Sequence, residues 1–286
     1  MIVKSYDKMR TYLPSLSIKG SRKDLFDDYR QTAQDDLEQK ILGEDLVELL
    51  EADIAEPDPH AKLRIKVERA ISVSAFLKGM ASVDLVLTDM GFAVENSTAM
   101  TPASRQRVDA LKNSLQEQLD NSIDDIILFL MKSSTYEDWR GSTQFEDITS
   151  GLIATFREFK QFAPLTAVVR ERYPQNYSEF SLLYSNLSQS LMLKISPSIS
   201  EDYCSELLEK YRDGDFSSVE ERSLVSYIKY AVCSFALQDD TLGNSLVQKA
   251  VSFMKSNLSK FPTYAASPEA AGLSYDRDDS PVYSMM

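Results

Sequence analysis

Histidine occurs once in this chain of 286 residues, tryptophan once and cysteine twice. A catalytic triad built on imidazole would have to use His60, which stands in Asp58-Pro59-His60-Ala61 at a helix start. A helix N-terminus disfavours the imidazolium, so His60 reads as an ordinary surface residue. One histidine and two distant thiols cannot assemble a tetrahedral zinc site. Nor do two cysteines make a disulfide framework, and Cys204 and Cys233 read as reduced, partly buried thiols. The strings G-x-x-x-x-G-K-[ST], G-x-G-x-x-G and G-x-S-x-G are missing, which removes the common phosphate cradles and the nucleophile elbow. No window approaches the roughly 18 uninterrupted apolar residues of a membrane span. Met1 to Asp7 lacks a basic region followed by an apolar core, so no signal peptide is read there and a cytoplasmic location is expected. Glycine (9) and proline (10) are few and cluster at connections, which leaves long stretches free to be helical.

What the chain does have is acid. Forty-four Asp and Glu face 31 Lys and Arg, for a formal charge of -13. Such a field repels phosphate backbones and anionic lipid, so neither sequence-specific nucleic-acid binding nor a membrane surface is expected. Copies of an acidic protein arranged in a ring could still surround DNA, because negative walls keep a duplex from sticking. With 43% hydrophobic and 26% charged residues the composition is that of a globular protein.

Hydrophobic spacing predicts an all-α fold: a helical bundle with a long antiparallel helical hairpin and a short β-hairpin or ordered loop at its tip. Residues 22–50 read as one or two polar helices punctuated by Gly43, stopped by Glu56-Pro-Asp-Pro59. From His60 to about Asp84 apolar residues cover nearly the whole helix, as in a central element. Leu85 to Asn96 has two apolar patches flanking Asp89 to Gly91, the pattern of a short hairpin. Thr101 and Pro102 suit the N-cap and first position of a helix in which Val108, Leu111, Leu115, Leu119, Ile123, Ile126 and Leu130 recur at threes and fours. Between Ser133 and Gln175 the period weakens, and a domain boundary near 140 is expected. Helices resume around Phe180 to Leu191 and Glu201 to Tyr211, followed by a turn at Arg212 to Asp215. Ser218 and Glu221 spell a capping box. Thr241 is read as the cap of the last helix, which ends at Leu258. The division expected is a helical domain 1–140, a second helical domain 141–261 and a flexible acidic tail 262–286. The texture of Arg69 to Phe76 also returns in Tyr227 to Phe235, a hint of internal repetition.

Carboxylates are the remaining source of chemistry. Asp213-Gly-Asp215 lacks the further ligands of a calcium loop. The pairs Asp27-Asp28, Asp35-Asp36, Asp124-Asp125 and Asp239-Asp240 read as solvated faces or caps, because neighbours on a helix point to different sides. Lys19-Gly-Ser-Arg-Lys23 is a weak anion site at best, and Trp139 reads as a packing residue before a partner anchor. No catalytic residue, cofactor or metal is expected.

One stretch resembles a known family. Val67-Glu-Arg-Ala-Ile-Ser-Val-Ser-Ala-Phe76 leads into Val83-Asp-Leu-Val-Leu-Thr-Asp-Met-Gly-Phe-Ala-Val-Glu-Asn96. Thr101-Pro-Ala-Ser-Arg-Gln-Arg-Val108 and Leu111 follow. Together they are similar to uncharacterised proteins of Bacteroides-group phages and prophages, over about residues 60–132. Members of that family look like head–tail connector, or adaptor, proteins. The resemblance implies a virion structural protein whose partners are further copies of itself, in a ring, and portal or tail proteins. It would reside in the host cytoplasm, or in the virion if the phage assembles. Asp89, Met90, Gly91 and Phe92 are the candidate partner contact, with Phe92 either inserting into the next subunit or folding back on its own hairpin. The alternatives are a cytoplasmic helical adaptor or regulator without catalytic activity, and an enzyme with a carboxylate-based site.

Overall fold

The computed structural model describes residues 1–13, 25–52, 57–83, 85–88, 91–94 and 104–271. It is all-α in class, and its described residues divide into two compact units. The first holds residues 1–148 together with 155–157 and 174–180, and the second holds 149–154, 158–173 and 181 onward. The chain therefore crosses between units within its short middle helices, beyond the boundary near 140 that the sequence suggests.

The first unit opens with α1 (Tyr6–Arg10) and α2 (Leu25–Leu37). A π-helical turn, Glu38–Leu42, continues α2 to Gly43, whose φ of 77° ends the run before α3 (Glu44–Glu51). Helix α4 (Ala61–Val83) is the centre: α1, α2 and α5 (Arg105–Lys132) all pack on it. Its Leu63, Val67, Ala70, Ile71 and Val73 are completely buried, while Lys62, Arg69 and Lys78 face solvent, so the helix is central without being apolar all round as the sequence suggests. Phe76 stacks on Phe26 of α2 with ring centroids 5.8 Å apart. Between α4 and α5 the strands β1 (Leu85–Thr88) and β2 (Gly91–Val94) pair antiparallel, Leu85 opposite Val94. Ser104 occupies the N-cap of α5; Thr101 and Pro102, expected to open this helix, lie outside the described residues.

After α5 the chain breaks into short pieces: α6 (Glu137–Arg140), α7 (Thr143–Thr149), α8 (Phe156–Phe162) and α9 (Tyr177–Ser181). Trp139 is a core residue, 5% exposed, and its indole N–H donates to the Ile41 carbonyl at 2.7 Å.

In the second unit, α10 (Tyr184–Gln189) runs through a π-helical segment, Ser190–Ile195, into α11 (Ser196–Ile199) and α12 (Glu201–Asp213). Gly214, at φ 71°, supplies the left-handed cap that stops α12. Helix α13 (Val219–Ala236) begins with the complete Ser218/Glu221 capping box and packs against α14 (Asp240–Ser256), α10 and the π segment. The N-cap of α14 is Asp239, accepting from the Leu242 N–H at 3.1 Å, and not Thr241, which lies inside the first turn; the Asp239 carboxylate reaches the free donor three residues on. The tail expected to be flexible from Pro262 is likewise corrected. Pro262–Ala265 form α15, and Phe261 and Tyr264 are buried with their rings 6.0 and 6.3 Å from that of Tyr203. Two aromatic anchors outweigh the small polar residues around them. Residues 272–286 lie outside the described ones.

Candidate interaction surface

Helices α4 and α5 run antiparallel. Near one end His60 Nδ1 is 3.1 Å from the Tyr136 hydroxyl, and Lys66 faces Asp125 at 4.0 Å. His60 is thus half-buried against an aromatic neighbour, not a plain surface residue. The opposite end of the pair leads into the β ladder. There Thr88 pairs with Gly91 and Leu87 with Phe92, so the register puts the last two candidate contact residues in β2. Asp89 and Met90, which join the strands, lie outside the described residues.

A groove of about 290 Å³ opens where α2 with its π turn, α4, α5 and the start of α9 meet, all within the first unit. Leu37, Ile41, Leu77, Leu119 and Ile123 give it an apolar floor. Lys40, Lys78 and Lys112 stand on its rim beside Asp36. Lys78 is bound to Asp36 at 2.7 Å, whereas Lys40 and Lys112 are exposed with no ion-pair partner among the described residues. On a molecule of charge -13 this is a local cationic edge over an apolar floor.

One wall of the groove is held by carboxylates that patterning alone misplaces. Asp124 is 1% exposed, and its two oxygens accept the backbone N–H groups of Phe156 and Arg157, each at 2.8 Å. Asp120, one turn earlier, accepts from Tyr177 N–H at 3.0 Å and from Gln116 Nε2 at 2.9 Å. These are the first residues of α8 and α9, so α5 supplies the caps for two short helices distant in sequence. Read along the chain, Asp124-Asp125 is a plain acidic pair. The signal lay in the helical period: Asp120 and Asp124 are four apart and sit among buried Ile123, Ile126 and Ile127. Asp125 is the solvated member, 3.3 Å from Arg157.

The second unit contains its own buried polar network. Glu158 Oε2 accepts from the Tyr211 hydroxyl at 2.6 Å and from Ala154 N–H at 3.1 Å, while Lys229 Nζ pairs with Oε1. The ammonium also lies 4.4 Å from the centroid of the Tyr211 ring. Burial, then the neighbouring Glu158 charge, push the Tyr211 hydroxyl and the Cys233 thiol well above their usual range. Burial raises Cys204 to about 11. Both cysteines are therefore neutral thiols at physiological pH, poor nucleophiles and poor metal ligands. Lys210 joins Glu206 and Glu221 at 2.7 and 2.6 Å, and the bond to Lys210 holds Glu221 down at about 2.

Among the described residues no group of three His, Cys, Asp or Glu could hold a metal ion, and no helix is long and apolar enough to cross a membrane. No curated protein and no solved structure matches the chain. Residues 16–149, which span α2 to α7 with the helix pair, the β ladder and most of the groove, match the model of a family of unknown function (DUF6712).

Proposed function

We propose that the chain is a non-enzymatic structural subunit, a phage or prophage head–tail connector that assembles into a ring through helix and loop contacts. The observation that carries this reading is the α4–β1–β2–α5 unit. The segment resembling connector proteins coincides with a helix pair whose largely aliphatic core also holds the capping carboxylates Asp120 and Asp124, extended at one end by a two-stranded ladder. A ring subunit needs rigid helices and a projection that reaches its neighbour. The neutral thiols, and buried or half-buried carboxylates such as Asp124, Asp239 and Glu221 that are engaged in caps and ion pairs, support a role without catalysis. The surplus of negative charge suits the wall of a channel through which DNA passes.

The test is replacement at the ladder. Phe92→Ser should leave the helical signal and thermal midpoint of the free subunit unchanged while lowering the assembled mass at fixed concentration. An assembled mass equal to that of the parent chain would remove the ladder from the contact.

A further inference from the structure

The groove of the first unit offers a recognition site unlike the rest of the surface. Its floor is aliphatic, its open rim carries two ammonium groups, Lys40 and Lys112, without an ion-pair partner among the described residues, and its volume of about 290 Å³ is small. That lies at the low end of the roughly 300–1,000 Å³ typical of small-molecule pockets and suits a few side chains of a peptide. An occupant should bring apolar or aromatic anchors flanked by acid.

The chain itself contains such a segment. Residues 272–286, Gly-Leu-Ser-Tyr-Asp-Arg-Asp-Asp-Ser-Pro-Val-Tyr-Ser-Met-Met, carry Asp276, Asp278 and Asp279 against the single Arg277. Tyr275, Tyr283, Met285 and Met286 supply anchors on both sides of the acidic run. Charge separates this segment from the longer runs outside the described residues, and length from Asp53-Ile-Ala-Glu56, which is acidic but only four residues long and has no aromatic or methionine. Residues 14–24 carry Lys19, Arg22 and Lys23 against Asp24 alone, the wrong sign for a lysine rim, and 95–103 contain one charge, Glu95, and no aromatic residue.

We propose that the groove between α2, α4 and α5 binds the acidic, tyrosine- and methionine-bearing segment 272–286 of a second copy of this chain. The aspartates lie along Lys40 and Lys112, and an apolar side chain enters between Leu77 and Leu119. This deepens the ring reading and rests on it for the identity of the neighbour, because it gives each subunit a strap onto the next.

The experiment uses a fluorescently labelled peptide of residues 272–286. The receptor is the full-length chain carrying D276N, D278N and D279N, so that its own segment competes little. Anisotropy should show saturable binding, weakened about tenfold by the further substitutions K40E and K112E and by raised salt. Both lysines are exposed, so a circular dichroism spectrum matching the parent is expected and confirms that the receptor is folded. Absence of saturable binding, or equal affinity for the lysine-reversed receptor, overturns the proposal. Light scattering on the D276N, D278N, D279N chain separates it from the ring reading. If the peptide binds but the unmutated chain stays monomeric, the groove accepts this segment from its own chain and the intermolecular strap fails. If the chain assembles equally well with or without the aspartates and the peptide does not bind, the ring stands and the groove assignment falls.

Discussion

Glu221 shows how much one side chain can carry here. Its backbone neighbour Ser218 makes it the third residue of a capping box, and its other oxygen binds Lys210. Hydrogen bonding to Lys210, opposed by burial and reinforced by Ser218, lowers its pKa from 4.5 to about 2. A carboxylate depressed in the folded state contributes stability that is fully present above its unfolded value. That contribution is lost as pH falls through the folded value. The acid limb of stability between about pH 5 and pH 2 should therefore include a component on the order of 1 kcal/mol from this residue, since Lys210 is partly exposed and solvent screens the pair. E221Q should lose it at pH 7 and flatten that limb, as read by urea unfolding at a series of pH values. An unchanged acid limb would place the depression elsewhere. This capping box was legible in the sequence because S-x-x-E is a local signal. Thr101 and Thr241 were equally plausible caps locally. The N-cap of α14 went to Asp239, whose second oxygen is also engaged by Thr166 at 3.1 Å, a contact no local pattern contains.

Among the elements, the long helices could be read and the short ones could not, for one physical reason. Helices α4, α5, α13 and α14 each bury a stripe at helical spacing, so their period is written along the chain. Helices α8 and α9 are only 7 and 5 residues long, below the length at which a helix stands on its own propensity. They start where they do because Asp124 and Asp120 meet their first N–H groups. D124A should strip the cap from one buried donor, Phe156 N–H, and one part-buried donor, Arg157 N–H, and cost about 2 kcal/mol, D124N about half that, in chemical denaturation at neutral pH. A loss below 0.5 kcal/mol for D124A, within the ordinary scatter of surface substitutions of about that size, would mean that α8 holds its place without the cap. The loop before α8 has its own constraint. A Cβ on Gly151 would stand 2.5 Å from Leu187 Cβ and 2.9 Å from its carbonyl carbon, so backbone must move. On Gly79 the nearest atom, at 2.6 Å, belongs to the Phe26 ring, a side chain. G151A should therefore destabilise by about 3 kcal/mol and G79A by less, since the helical alanine recovers up to about 1 kcal/mol of propensity. The reverse order in thermal melts would contradict this reading of the two contacts. Both π-helical turns were invisible beforehand. They replace one hydrogen-bond register by another within runs whose side-chain pattern still reads as helix.

For the whole molecule, the all-α class follows from the scarcity of glycine and proline together with helical spacing. The extent of the second unit does not follow, because Phe261 and Tyr264 anchor a segment whose composition reads as tail. The contact residues suggested by the sequence are only half accessible to structural description, with Gly91 and Phe92 in β2 and Asp89 and Met90 outside. The groove was not foreseen at all, since it joins Lys40, Lys78 and Lys112 from three separate elements. The central claim is that copies of this chain assemble with each other. It is tested most directly by the mass in solution, measured by light scattering over a concentration series at low and physiological salt. The account predicts growth from the 32.3 kDa subunit toward a closed oligomer of many copies as concentration rises. A mass of 32.3 kDa at every concentration and both salts would contradict it.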